Sequence, residues 1–296
     1  MRIALGQIDC RLGNIPANIE THRQALRAVQ ERGGADLTLF PELSLTGYRL
    51  RSDIHRAALN DDHFTNAWQR LRDGLAPPES YCSFGCVELT RRAVLHNTTV
   101  LMRGDDAAPV LRHRKVYLPT YGMFEEERYM RPGHHFDAVD LTLADGETWR
   151  VGILCCEDAW HSSAWTILQA RGVDLILVSS ASPGRGVESE RLGSQRSWYG
   201  ILATHAEMTG CWVAFTNRVG FEDDIHFWGG SAVFSPTGEI TAQAALMEPD
   251  LLVCDMPKRA ISQARIMTPL IADEDWDLTL RELEEAYAES LEEASQ

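Results

Sequence analysis

The chain lacks a long apolar run, a paired-cysteine framework and an excess of positive charge. Nothing in its 296 residues approaches the roughly 18 consecutive apolar residues that span a bilayer. The first residues, Met1-Arg-Ile-Ala-Leu-Gly-Gln, show no charged segment leading into an apolar core, so neither a membrane span nor a signal peptide is expected. The seven cysteines (Cys10, Cys82, Cys86, Cys155, Cys156, Cys211 and Cys254) are odd in number and scattered, with no C-x-x-C pair. Cys82-x3-Cys86 has no second ligand group at metal spacing, so reduced thiols in a cytoplasmic protein are expected. Lys and Arg number 28 against 43 Asp and Glu, a formal net charge of −15. That argues against nucleic acid or an anionic membrane as a partner, since both need a basic surface.

What is present is ordinary globular material, 44% hydrophobic and 24% charged, long enough for one large domain or two small ones. Residues 2–10 read as a strand. Residues 14–32 read as a helix with Ile15, Ile19, Leu26 and Val29 on one face, and 35–43 as a second strand. Residues 49–62, rich in Arg and Asp, read as a surface loop. A helix over 79–96, strands over 98–103 and 110–118, and a long loop over 119–135 follow. The second half reads as strands at 149–156, 173–179, 211–217 and 251–255, helices at 162–171 and 188–208, and a hairpin around Ser235-Pro-Thr-Gly. From Ala272 the chain is acidic. Thr279-x-x-Glu282 has the form of a capping box, and Leu280, Leu283, Tyr287 and Leu291 share a helical face, which suits packing on its own domain or on a partner. Strands and helices interleave throughout, so the class is α/β.

Residues 151–160, Val-Gly-Ile-Leu-Cys-Cys-Glu-Asp-Ala-Trp, begin as a buried strand and end in two thiols and two carboxylates. Many α/β enzymes present a nucleophile in this way, although a core strand with two inert thiols has the same pattern. Two further strand ends carry complementary chemistry. Glu42 lies in Phe40-Pro-Glu-Leu-Ser-Leu-Thr-Gly-Tyr48, and Lys115 in His113-Arg-Lys-Val-Tyr-Leu-Pro-Thr-Tyr121. A thiol of ordinary pKa, about 8.5, is mostly protonated at neutral pH and needs a base or a cation beside it. A desolvated Glu42 would be such a base, and Lys115 a fixed cation for a thiolate or an oxyanion.

These three segments, in this order, resemble the nitrilase superfamily of carbon–nitrogen hydrolases, whose members carry a Glu–Lys–Cys triad. Phe-Pro-Glu-Leu-x-Leu-x-Gly-Tyr is similar to the glutamate motif, Arg-Lys-Val-Tyr-Leu-Pro to the lysine motif and Cys156-Glu-Asp-Ala-Trp160 to the cysteine motif. Phe124-Glu-Glu-Glu-Arg-Tyr129 with Pro132-Gly133, Ser180-Ala-Ser-Pro183, and Asn217-Arg-Val-Gly220 with Gly229-Gly-Ser231 extend the likeness. It covers roughly residues 1–256 as one hydrolase domain and leaves 257–296 as an acidic tail with an amphipathic helix. The resemblance implies an αββα sandwich that homodimerises through its helices, and hydrolysis through a thioester with no metal or organic cofactor. It also implies Glu42 as general base, Lys115 as oxyanion stabiliser, Cys156 as nucleophile and Glu126 as support for the lysine. The amide of Glu157 would complete the oxyanion hole. Cys155 is expected to turn to the other face of the strand and pack there.

Within the superfamily, Cys-Glu-Asp-x-Trp, Leu-Pro-Thr-Tyr-Gly-x-Phe and Ser-Ala-Ser-Pro most resemble the glutaminase domain of glutamine-dependent NAD synthetases. That likeness implies Tyr48, Tyr121, Glu157, Ser182 and, less directly, Ser180 as contacts for a small linear amide such as glutamine. A carboxylate such as Glu157 suits the α-ammonium of such a substrate. Hydrolysis of an N-carbamoyl amino acid or another C–N bond is the alternative within enzymes, and a non-catalytic scaffold the alternative outside them. The Cys-Trp-Glu form of nitrilases is missing, and Trp228 stands where the glutaminase branch usually has Asp. The chain contains no Ser-Gly-Gly-x-Asp-Ser pyrophosphate loop. Ammonia is therefore expected either as a free product or as a supply to a separate synthetase, with the acidic tail as a docking element.

Overall fold

The computed structural model describes residues 1–73, 77–184, 187–188 and 191–293. The first half runs β1 (Arg2–Gln7), α1 (Ile15–Glu31), β2 (Leu37–Leu39), α2 (Ile54–Ala57), α3 (Asp61–Arg72), β3 (Tyr81–Leu89), β4 (Leu95–Arg103), β5 (Leu111–Arg114) and α4 (Glu126–Tyr129). It continues with β6 (Ala138–Thr142), β7 (Thr148–Cys155), α5 (Ser162–Ala170), β8 (Leu175–Ser180), the short pair β9 (Val187–Glu188) and β10 (Arg191–Leu192), and α6 (Gly193–Thr209). The last part is β11 (Trp212–Asn217), β12 (Val219–Glu222), β13 (Ile225–Trp228), β14 (Ala232–Phe234), β15 (Ile240–Gln243), β16 (Asp250–Asp255), α7 (Arg259–Met267), α8 (Leu270–Asp273) and α9 (Trp276–Glu293).

Among the described residues, two six-stranded sheets form, ordered β16-β1-β2-β3-β4-β5 and β15-β14-β11-β8-β7-β6. Alternation along single strands explains how they stack. Leu175 and Leu177 of β8 meet Ile3, Leu5, Leu37 and Leu39 of the other sheet, while Ile176 and Val178 join Trp165 and Leu168 of α5 and Trp198 and Leu202 of α6. On the far side, Phe84, Cys86 and Met102 pack against Ile19 and Leu26 of α1 and Phe64 and Trp68 of α3. The layers are α, β, β, α, as the sequence reading expected. No helix among the described residues is long and apolar enough to cross a membrane.

Several local expectations give way. Residues 79–96 are not a helix but the antiparallel hairpin of β3 and β4, with Tyr81 opposite Arg103 and Leu89 opposite Leu95. A central strand buried on both faces carries no alternation, so Tyr-Cys-Ser-Phe-Gly-Cys-Val lacks the period-2 signal. Residues 49–62 form not a plain surface loop but helical turns that bury Leu50, Ile54, Ala57, Ala58 and Leu59. β2 stops at Leu39, so Glu42 lies beyond it in a turn. The expected helix over 188–208 begins only at Gly193; its residues 189 and 190 lie outside those described, as do 294–296 of the tail. The capping box at Thr279 is absent, because the helix starts a turn earlier, where Asp275 Oδ1 accepts the amide of Leu278 at 2.9 Å.

The β3–β5 edge is clamped by Glu88. Its carboxylate accepts the Thr98 hydroxyl at 2.8 Å, Arg112 at 2.6 Å and two donors of Arg114 at 2.8 Å. Burial raises its pKa, but the hydrogen bonds and charges of Arg114, Thr98 and Arg112 outweigh burial and hold it at about 2. A carboxyl with a depressed folded-state pKa stabilises the fold above its unfolded value, about 4.3, and loses that contribution as pH falls toward 2. The melting-temperature gap between wild type and Glu88→Gln should therefore shrink as pH is lowered from 5 to about 2.5. A gap independent of pH in that window would contradict the clamp.

Candidate active site

Three turns carry the expected side chains into one buried cluster. The first follows β2, where Leu43 adopts φ 48°, a left-handed value rare for a branched side chain. Gly85 of β3 makes room for it: a Cβ there would lie 2.2 Å from the Leu43 nitrogen. Glu42 is fully buried as a result. Its Oε1 accepts Lys115 Nζ at 2.8 Å and Asn97 Nδ2 at 2.7 Å, and its Oε2 accepts the Ala181 amide at 2.8 Å.

Lys115 directly follows β5. Its backbone amide donates to Asn97 O, and its carbonyl accepts from Gly133, both at 2.8 Å. Gly133 has to be glycine at that distance, since a Cβ would sit 2.1 Å from Arg114 O. The ammonium is fully buried and donates at 2.7 Å to Glu126 Oε1 as well as to Glu42. Burial alone would lower its pKa, but the charges of Glu126 and Glu42 prevail and hold it well above the ordinary lysine range. Glu126 also accepts the Tyr48 hydroxyl at 2.5 Å and Asn97 Nδ2 at 3.3 Å. Burial pushes its carboxyl up, as does the charge of Glu42, against the pull of Lys115.

The third turn follows β7. Cys156 adopts φ 49°, the same left-handed region, and opens a single 3-10 turn that ends at Trp160. Non-glycine residues held there cost about 1–3 kcal/mol and persist only when their surroundings enforce them. Asp158 does the enforcing. It accepts the amides of Cys155 (3.0 Å), Val116 (3.0 Å) and Tyr117 (2.9 Å), and His113 Nε2 at 2.7 Å. One carboxylate thus joins the turn after β7 to the segment that carries Lys115. The Ser180 hydroxyl donates to Cys156 Sγ at 3.5 Å. Burial and the Glu42 charge push the Cys156 thiol well up, while Lys115 and Ser180 oppose them. At rest it is a thiol and needs a base to ionise.

Cys155 departs from expectation. Alternation does send it to the opposite face from Cys156, but that face is the space between the sheets, where Val151 and Ile153 pack. There its sulfur stands 3.5 Å from Glu42 Oε1. It abuts the cluster rather than packing away from it.

A cavity of about 400 Å³ opens over Cys156 and is lined by Tyr121, Glu157 and Ser182 together with Phe124, Trp160 and Trp198. The Tyr121 hydroxyl donates to Glu157 at 2.8 Å. Ser182 Oγ accepts two indoles, Trp198 Nε1 at 2.9 Å and Trp228 Nε1 at 3.3 Å, which leaves its own hydrogen to donate. Tyr48 and Ser180 do not line this cavity; their hydroxyls donate to Glu126 and to Cys156. Among the described residues, no group of three or more His, Cys, Asp or Glu is arranged to hold a metal ion.

Residues 2–266 match the model of the Carbon-nitrogen hydrolase family. The chain belongs to that family. Its likeness to an amidase from Nesterenkonia sp. (26% identity, TM-score 0.77, 95% of each chain covered) agrees with a hydrolase of carbon–nitrogen bonds. A variant of that amidase shows covalent addition of the acetamide moiety of fluoroacetamide at its active-site cysteine. A carbon-nitrogen hydrolase from Helicobacter pylori G27 shares the fold at 22% identity, with a TM-score of 0.82 over 96% of this chain and 98% of that one. The glutamine-dependent NAD(+) synthetase of Acinetobacter baylyi is 28% identical over 250 residues, 84% of this chain and 43% of the synthetase. The chain thus spans less than half the length of that curated relative.

Sequence reasoning missed Asn97, Asp158 and the pair formed by Arg218 and Glu222. Glu222 accepts the amides of Tyr48 (3.1 Å) and Arg49 (2.8 Å) and is ion-paired with buried Arg218, which fixes the Tyr48 loop. The one signal for Asn97 was an amide leading a β-branched run, Asn-Thr-Thr-Val, just ahead of the strand expected from residue 98; β4 in fact begins at Leu95 and includes it. Losing a donor to a buried charged group costs about 1.5–3 kcal/mol. Asn97→Ala should lower urea-denaturation stability by about that amount, and an unchanged midpoint would show that the amide does not hold the two carboxylates.

Proposed function

We propose that the chain is a cysteine amidohydrolase that releases ammonia from a small linear amide through a thioester. The observation that carries this reading is a buried carboxylate hydrogen-bonded to a buried ammonium, both of whose charges act on the thiol of a strained cysteine that lines the cavity. Glu42 takes the Cys156 proton, and the thiolate attacks the amide carbonyl. Lys115 Nζ and the Glu157 amide hold the oxyanion. Protonated Glu42 gives its proton to the departing nitrogen, and ammonia leaves. Glu42 then removes a proton from water, the hydroxide attacks the thioester carbonyl, and the proton returns to the Cys156 sulfur as the acid departs. Glu126, Asn97 and Tyr48 keep Lys115 and Glu42 in place throughout.

For the substrate, a glutamine-like ω-amide is favoured. Glu157 offers a carboxylate in the cavity for an α-ammonium, with Tyr121 orienting it and Ser182 as a donor. Trp228 Nε1 donates to Ser182 Oγ and so braces that side of the cavity wall. The same reading includes a homodimer through α5 and α6, whose Ile167 and Met208 are exposed in the single chain. It also includes a separate synthetase as the recipient of ammonia, with the exposed leucines of α9 as a docking surface.

Ammonia release from glutamine, asparagine, short aliphatic amides and N-carbamoyl amino acids tests the proposal. Glutamine turnover that disappears in Cys156→Ala and falls by at least about 10³-fold in Glu42→Gln is expected. Glu157→Gln should raise KM for amides bearing an ammonium more than for acetamide-sized ones. Turnover confined to N-carbamoyl substrates would displace the ω-amide reading and keep the mechanism. Silence across the panel would overturn both.

A further inference from the structure

Cys155 ends β7 in register with Ser179 of β8 and is fully buried between the sheets, outside the cavity that reaches Cys156. Its sulfur stands 3.5 Å from Glu42 Oε1 and 3.8 Å from Asn97 Oδ1. A thiol has one hydrogen, so it serves one of these acceptors at a time. The charged carboxylate is the stronger acceptor. Burial and the adjacent Glu42 charge keep Cys155 protonated, so it remains a donor.

The pair is unsuited to a disulfide. Neighbouring Cα atoms are about 3.8 Å apart, below the roughly 4.4 Å that a disulfide ordinarily needs, and the two side chains leave opposite faces of the strand. The donor role is what the placement serves.

We propose that Cys155 is a positioning residue for the base. Its thiol donates to Glu42 Oε1 while the carboxylate is charged, and turns to Asn97 Oδ1 once Glu42 has taken the Cys156 proton. The charged form of Glu42 then receives four donors: Lys115, Asn97 and Cys155 at Oε1 and the Ala181 amide at Oε2. Glu126 from α4, Tyr48 and the Cys156 thiol are the other titratable groups around the cluster, and Asp158, which accepts the Cys155 amide at 3.0 Å, adds a further negative charge beside Cys155. An aliphatic residue would fill the same volume and leave the carboxylate one donor short. This inference rests on Glu42 acting as the base.

The test follows iodoacetamide alkylation of Cys156 across pH 5–9, about two units either side of neutrality, with the label located by peptide mass spectrometry. It needs no known substrate, so it stands apart from the search for one. Removing a donor from the charged form of a carboxylate makes that form less favourable. Cys155→Val should therefore move the acid limb of the alkylation profile up by about 0.5–1 pH unit. Cys155→Ser, which keeps a donor, should return it to within about 0.2 of wild type. A valine variant with the wild-type limb, or a serine variant that behaves like valine, overturns the proposal. A limb that is identical in wild type and Glu42→Gln overturns the reading of Glu42 as base, and the role of Cys155 with it.

Discussion

Everything at the centre of this protein depends on one buried ammonium held between two buried carboxylates. Lys115, Glu42 and Glu126 meet at 2.7–2.8 Å with almost no exposure to water. Removing three charges from solvent is costly, and such a cluster persists only when its remaining lone pairs and protons are also satisfied. The surroundings supply this: Asn97 bridges the carboxylates, Tyr48 closes Glu126, and the Ala181 amide takes the far oxygen of Glu42. The price in stability secures the proposed base and a cation in fixed positions, beside a thiol whose pKa burial raises.

The backbone meets the same demand. Two positive-φ residues without glycine's freedom, Leu43 and Cys156, stand next to or at the proposed base and nucleophile. Each turn is braced from another strand, the first by the absence of a side chain at Gly85 and the second by the four hydrogen bonds of Asp158. The first brace lies within one sheet, where β3 neighbours β2, and the second joins the turn after β7 to the segment after β5 of the other sheet. Glu42 and Lys115 follow strands of one sheet, Cys156 and the Ala181 amide strands of the other, so the two sheets together assemble the proposed site.

The sequence made the layers and the three principal candidate residues legible for different reasons. Strands such as Leu175–Ser180 are short apolar runs, and Glu42, Lys115 and Cys156 stand in motifs whose order is distinctive. What escaped was what depends on contact across the sheets. Asn97 fell between the helix expected over 79–96 and the strand expected over 98–103, whereas it lies inside β4. Cys155 was correctly assigned to the other face of β7, yet only the stacked sheets reveal that Glu42 reaches that face. Asp158 belonged to the cysteine motif but gave no sign that it would collect amides from the segment carrying Lys115. Tyr48 and Ser180 were legible as neighbours of the site, but the direction of their hydroxyls was not.

The most direct test of this account is the stability of Lys115→Met beside that of Lys115→Met/Glu126→Gln, by urea denaturation at neutral pH. Removing one partner of a buried ion pair typically costs about 3–5 kcal/mol because the other charge is left uncompensated. The account predicts a loss of that order in the single variant and a clear recovery in the double variant, where one of the stranded carboxylates is neutral. A single variant as stable as wild type, or a double variant no better than the single, would contradict it.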